Sequence, residues 1–156
     1  MSTETMMVGA GCFWGVQYRF DNIHGIEKTL VGYAGGDTES PNYDSVCRGD
    51  TNHAEVVWLE FDNNEISRRQ LLELFFSMHN PTTLNRQGPD IGTQYRSVIF
   101  YANDEEKSLA EEVMKQAQAN FSNPIVTTLE PMADFWAAED YHQQYFQKRG
   151  IHGGCH

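Results

Sequence analysis

The chain has 156 residues, 40% hydrophobic and 12% aromatic, enough for one domain with a hydrophobic core and too apolar for a disordered segment. Twenty-two acids against eleven Lys and Arg give a formal net charge of −11, which argues against a nucleic-acid partner, because phosphate backbones are held by clustered cations. No apolar run is long enough to span a bilayer, and Met1-Ser2-Thr3-Glu4-Thr5 lacks the basic start and apolar stretch of a secretory signal, so a cytoplasmic protein without a membrane partner is expected.

Met6 to Gly9 reads as a short buried strand, closed by glycines around Cys12-Phe13-Trp14. From Cys12 to about Asp21, Phe13, Trp14, Val16 and Phe20 suit one face of a helix. Ile26 to Ala34 is a strand ending in Gly35-Gly36, and a polar loop is expected up to about Asn52. His53 to Phe61 is a second strong strand. Ser67 and Gln70 have the spacing of a capping box ahead of Leu71, Leu72, Leu74, Phe75 and Phe76, so a helix starts there and ends before Pro81. Thr82 to Thr93 reads as a polar loop, Tyr95 to Ala102 as a strand, and Asp104 as the cap of a helix from Glu105 to about Asn120. A strand near Ile125 to Leu129 and an amphipathic stretch from about Trp136 to Gln147 lead into a glycine-rich tail. Strands and helices alternate, which favours a helix-backed sheet in one α/β or α+β domain.

Three cysteines, at positions 12, 47 and 155, cannot form a complete internal disulfide framework, so the question is which thiols react. Cys12 stands where a strand turns into a helix, between glycines. Free N–H groups and the positive end of the helix dipole there would stabilise a thiolate and make it nucleophilic. The alternative is an inert buried cysteine packed as a small apolar residue. Phe13 and Trp14 belong either to the core or to a shallow aromatic cage beside the thiol.

Gly11-Cys12-Phe13-Trp14-Gly15 resembles the signature of peptide methionine sulfoxide reductases of type A. Further blocks follow in that family's order: Gly32-Tyr33-Ala34-Gly35-Gly36, Pro41-Asn42-Tyr43 and His53-Ala54-Glu55-Val56-Val57. Gln87-Gly88-Pro89-Asp90-Ile91-Gly92-Thr93-Gln94-Tyr95-Arg96-Ser97 and Ala138-Glu139-Asp140-Tyr141-His142-Gln143 complete a resemblance that runs over nearly the whole chain. It implies an α+β fold, a two-layer α/β sandwich with helices packed on a mixed sheet and a ferredoxin-like core. One catalytic domain over residues 1–156, with a mobile glycine-rich tail from about residue 148, is expected.

The activity implied is reduction of the S epimer of methionine sulfoxide, free or in peptides and proteins, without a cofactor. Such chemistry needs a nucleophile at sulfur and an acid for the departing oxygen, because unprotonated oxide cannot leave. Alternation along the strand puts Glu55 on the same face as Val57, Leu59 and Phe61, where desolvation would raise its pKa. The alternative is a carboxylate at the strand end paired with an arginine. By resemblance, Cys12 attacks, Glu55 gives the proton, Phe13 and Trp14 hold the S-methyl group, and Tyr43, Asp90 and Tyr95 line the substrate pocket. The sulfenic acid on Cys12 would be resolved by Cys155 to a disulfide that thioredoxin reduces; Cys47 is taken as structural. Family members with a second tail cysteine relay the disulfide outward, and this chain has none after Cys155.

Three rival classes are weighed. A zinc module lacks a C-x-x-C pair, and Gly153-Gly154 oppose a helix that would align His152 and His156, so no metal is expected. A cysteine hydrolase would need His24, His53, His79 or His142 as base, none within a recognisable hydrolase pattern. A binder of oxidised methionine without catalysis would require loss of Cys12 or Glu55, and both are present.

Overall fold

Met6, Val8 and Ala10 alternate with Met7 and Gly9, and this period of two decides which side of strand β1 (Thr3–Ala10) each residue faces. A computed structural model of the chain describes residues 3–36, 41–47, 51–88 and 90–143, without the side chains of residues 44, 47 and 141. In it, Met6, Val8 and Ala10 join Val57, Leu59 and Phe61 under the helices, whereas Met7 packs with Ala54, Val56, Val98 and Phe100 on the other face. Both faces are therefore apolar, as the sequence of the second strand suggests.

After β1 come helix α1 (Phe13–Asp21), strand β2 (Ile26–Ala34), a short helix α2 (Tyr43–Cys47), strand β3 (Ala54–Asp62) and helix α3 (Arg68–Ser77). A two-residue pair, β4 (Arg86–Gln87) and β5 (Asp90–Ile91), precedes β6 (Ser97–Tyr101), helix α4 (Asp104–Ala117), β7 (Thr128–Pro131) and β8 (Trp136–Ala137). The main sheet runs β7-β6-β1-β3-β2-β8. Only β6 and β7 pair in parallel; the other neighbours are antiparallel, so the sheet is mixed and the fold α+β. Among the described residues no helix is long and apolar enough to cross a membrane.

Several expectations hold and several shift. The capping box at α3 is formed: Gln70 N–H donates to Ser67 Oγ at 3.0 Å and Ser67 N–H to Gln70 Oε1 at 2.9 Å. For α4 the cap is Asn103 rather than Asp104, because Asn103 Oδ1 accepts from Glu106 N–H at 2.9 Å, and Asp104 instead lies in the acidic first turn. The polar loop expected before Asn52 contains α2, started by a reciprocal pair: Ser45 N–H donates to Asn42 Oδ1 at 2.8 Å and Asn42 N–H to Ser45 Oγ at 3.0 Å. The loop from Thr82 to Thr93 folds back as the β4–β5 pair, and the strand expected near Ile125 to Leu129 is β7, which starts three residues later and ends two later. The expected amphipathic stretch begins as β8 and continues as a 3-10 turn, Asp140–His142. The tail expected from about residue 148 lies outside the described residues.

The segment from Trp136 to Gln143 straps the edge of β2. Gly32 pairs with Ala137 and Tyr33 with Trp136, while Ala138 N–H donates to Val31 O at 2.9 Å. Gln143 closes the strap: Val31 N–H donates to its Oε1 at 2.9 Å, and its Nε2 donates to Val31 O and Ala138 O at 3.0 and 3.1 Å. Gly32 is required here, since a Cβ would stand 2.3 Å from Trp136 O.

Candidate active site

The site begins at the turn from β1 into α1. Gly11 takes φ +96°, a conformation that side-chain-bearing residues rarely adopt, and a Cβ on it would stand 2.7 Å from Gln87 Cγ. Gln87 is itself anchored, with Asn80 N–H donating to its Oε1 at 3.1 Å. The turn delivers Cys12 to the N-cap of α1, with no side-chain cap hydrogen bond, so its sulfur lies at the end of the helix where N–H groups point outward. That sulfur is engaged in a disulfide whose partner lies outside the described side chains. Cys155, expected as the resolving thiol, is outside the described residues, as is the side chain of Cys47.

Glu55 enters from β3. It is 1% exposed, on the helix-covered face with Val57, Leu59 and Phe61. Its Oε1 accepts from Phe13 N–H, the first amide after Cys12, at 3.2 Å. Its Oε2 is buried with no hydrogen-bond partner among the described residues. Burial pushes the pKa up to about 8; the Phe13 N–H bond pulls it down, and the negative charge of Asp90 adds to the rise. At neutral pH the carboxyl therefore holds its proton, although a helix N-terminus faces it. Desolvation wins because one amide replaces only a small part of the lost water.

Phe13 and Trp14 are joined by two rings from other segments. Trp14 stacks on Tyr43 with centroids 6.1 Å apart and on His142 at 5.5 Å, and Tyr43 lies 4.5 Å from His142. Phe13 is within 5.5 Å of His142 and 6.5 Å of Tyr43. Trp14 Nε1–H donates to His142 Nδ1 at 2.9 Å, which assigns the lone pair to Nδ1 and any proton of the neutral ring to Nε2. Burial lowers the pKa of His142, against an opposite pull from Glu139, so the ring favours the neutral form that this bond needs.

Asp90 stands on β5, close enough to Glu55 to act on its titration. Tyr95 ends the 3-10 turn Thr93–Tyr95, which packs against β3. Arg96, directly after it, ties this turn to the entry of β3 by donating to Thr93 O and Asn52 O, both at 3.0 Å. Six of the residues singled out in the sequence thus come together through β1, α1, β3, α2 and β5, with Tyr95 on an adjoining turn.

The structure adds two residues that sequence reasoning left aside, His142 and Glu139. His142 stands in the sequence within the Ala138–Gln143 block and as one of four histidines weighed as a hydrolase base, without a role in the reduction. The others have structural partners: His24 bonds Glu65, His53 Nδ1 accepts from Gly36 N–H at 3.1 Å, and His79 is buried between Phe75 O and Ser97 Oγ at 2.7 Å each. The signal that could have found both residues was their place in one block, Ala138 to Gln143, three residues apart.

A protonated carboxyl at the amide that follows a helix-capping cysteine, with an aromatic cluster beside it, is an arrangement for proton-coupled attack on a small apolar-substituted group. Comparison with known proteins decides the family. The model of the family described as peptide methionine sulfoxide reductase matches residues 4–156. The chain belongs to that family. Peptide methionine sulfoxide reductase MsrA of Acidobacterium capsulatum is 51% identical over 150 residues, covering 95% of this chain and 96% of the relative. Among solved structures, reduced Mxr1 from Saccharomyces cerevisiae superposes with a TM-score of 0.90 at 38% identity, covering 99% of this chain and 90% of Mxr1. Mxr1 in complex with Trx2 gives a TM-score of 0.65 at 25% identity, over 92% of this chain and 85% of that one. Like the family, this chain is an oxidoreductase, a reductase of peptide methionine sulfoxide.

Proposed function

We propose that the protein reduces the S epimer of methionine sulfoxide, free or within peptides and proteins, with Cys12 as nucleophile and Glu55 as proton donor. The observation that carries this reading is the buried Glu55 carboxyl, protonated at neutral pH and bonded to the amide next to Cys12. In the first step the Cys12 thiolate attacks the sulfoxide sulfur while Glu55 transfers its proton to the oxygen, and that oxygen passes to Cys12 Sγ as the substrate S–O bond breaks. The products are methionine, a sulfenic acid on Cys12 and the Glu55 carboxylate. In the second, the Cys155 thiol condenses with the sulfenic acid, releasing water and forming a disulfide. Thioredoxin then reduces the disulfide, a role supported by the likeness to Mxr1 in its complex with Trx2. The disulfide engagement of the Cys12 sulfur is in keeping with a thiol that cycles.

Phe13 and Trp14 form the apolar side of the site and hold the S-methyl group, which leaves one epimer able to present its oxygen to Glu55. The Tyr43 and Tyr95 hydroxyls donate hydrogen bonds to that oxygen as its charge changes. Asp90 accepts from the substrate amide and, through its charge, helps to keep Glu55 protonated. The strand order β6-β1-β3-β2, with α1 and α3 as crossovers, supports reading the core as ferredoxin-like, a two-layer sandwich within one catalytic domain.

The test is a single-turnover reaction of the pre-reduced protein with resolved epimers, followed by peptide mapping. One methionine per protein from the S epimer alone, with Cys12 joined to Cys155, is expected. A Cys12–Cys47 link would remove Cys155 as the resolving thiol, and no methionine from either epimer would overturn the activity itself.

A further inference from the structure

Tyr43 stands at the first position of a five-residue helix, α2, and its place depends on something outside that helix. Beside its ring contacts with Phe13, Trp14 and His142, its backbone is held by Glu139, on the strap along β2. One carboxylate oxygen, Oε2, accepts from the Tyr43 backbone N–H at 3.3 Å, and the other, Oε1, accepts from the Tyr33 hydroxyl at 3.2 Å. Tyr33 is fully buried in the core on β2, and the strap is pinned to the same strand by Ala138 and Gln143. Glu139 is thus a rigid bracket: one oxygen holds a fixed core side chain, and the other holds the backbone of the residue whose hydroxyl serves the sulfoxide. Three residues later the same strap presents His142 to Trp14.

We propose that Glu139 is a positioning residue for the reduction step, setting the location of the Tyr43 side chain through its backbone amide. The inference rests on the reading of Tyr43 as a hydrogen-bond donor to the sulfoxide oxygen. A bracket of this kind needs an acceptor directed at the Tyr43 N–H, not a negative charge. The amide of glutamine meets the need: its oxygen accepts from Tyr43 N–H, and its NH2 donates to the Tyr33 hydroxyl, which turns round to accept. Alanine meets neither.

Pre-reduced wild-type protein and the variants E139A, E139Q, Y43F and E139A/Y43F are each mixed with methionine S-sulfoxide, and both the rate constant and the amplitude of methionine formation in one turnover are measured. A lost hydrogen bond that acts through a catalytic contact is worth about tenfold in rate. The expected result is an E139A rate constant about tenfold below wild type at unchanged amplitude, E139Q within about threefold of wild type, and the double variant no slower than Y43F alone. A merely structural role would lower the amplitude, the fraction of protein able to turn over, and leave the rate constant in place; that result overturns the proposal. So would E139A and Y43F losses that multiply, or an E139Q loss equal to that of E139A. Absence of turnover in wild-type protein would overturn the reading of the site together with this one, whereas normal wild-type turnover with an unaffected E139A removes the bracket alone.

Discussion

At the scale of single residues, Glu55 decides most. With its pKa raised to about 8, the single-turnover rate should fall as pH rises through that value, as the proton needed for the departing oxygen is lost. E55Q should slow the step by roughly a hundredfold or more and erase the alkaline limb of the profile. An unchanged rate in that variant, measured by quenched-flow, would take Glu55 out of the mechanism. The sequence makes this residue legible because alternation along β3 fixes its face, and burial follows from that face. His142 is not legible in the same way. Its bond to Trp14 depends on the strap returning beside β2, a tertiary contact 128 positions away that no local pattern encodes. Replacing His142 with Phe keeps the ring stack and removes the acceptor for Trp14 Nε1–H, so KM should rise severalfold while the protein stays folded. Steady-state kinetics with free methionine sulfoxide would register the difference.

Elements show where local chemistry was and was not enough. The capping box of α3 could be read from Ser67 and Gln70 because both partners lie within one turn. The same logic applied to Asn42 and Ser45, yet the glycine- and asparagine-rich surroundings concealed α2, a helix too short to show apolar periodicity. Asp104 is expected as the cap of α4, but Asn103, one residue earlier, supplies the oxygen and Asp104 opens an acidic first turn. These two caps predict opposite outcomes on substitution. Ser67→Ala should cost about 1 kcal/mol of stability, visible in chemical denaturation, with activity kept. Asn42→Ala frees the first turn of α2, which carries Tyr43, so turnover should drop while the denaturation midpoint scarcely moves. Equal effects of the two substitutions on both measurements would show that α2 is not held by its cap.

For the molecule as a whole, two buried groups pull stability in opposite directions with pH. Glu55 has a folded pKa of about 8 above its ordinary 4.5, so the stability tied to its neutral form is complete below pH 4.5 and is lost as pH rises through 8. His79 is pushed down to about 4 from 6.5, chiefly by burial, so its contribution is complete above pH 6.5 and is lost as pH falls through 4. Between pH 4.5 and 6.5 the falling contribution of Glu55 is opposed by His79 and by His142, whose pKa burial also lowers, and from 6.5 to 8 stability should decline by about 1.4 kcal/mol per pH unit. Denaturation should therefore show a fall that sets in above pH 6.5, and E55Q should flatten the fall. A further property follows from how the sheet ends. One edge, β8, is two residues long; the other, β7, closes on Pro131, while the next amide, Met132 N–H, turns inward to Tyr101 O at 2.8 Å. Because N–H groups alternate sides along a strand, the donor missing at Pro131 is one that would have faced outward. At β7 and β8 the sheet therefore presents few outward N–H groups on which another chain could add a strand.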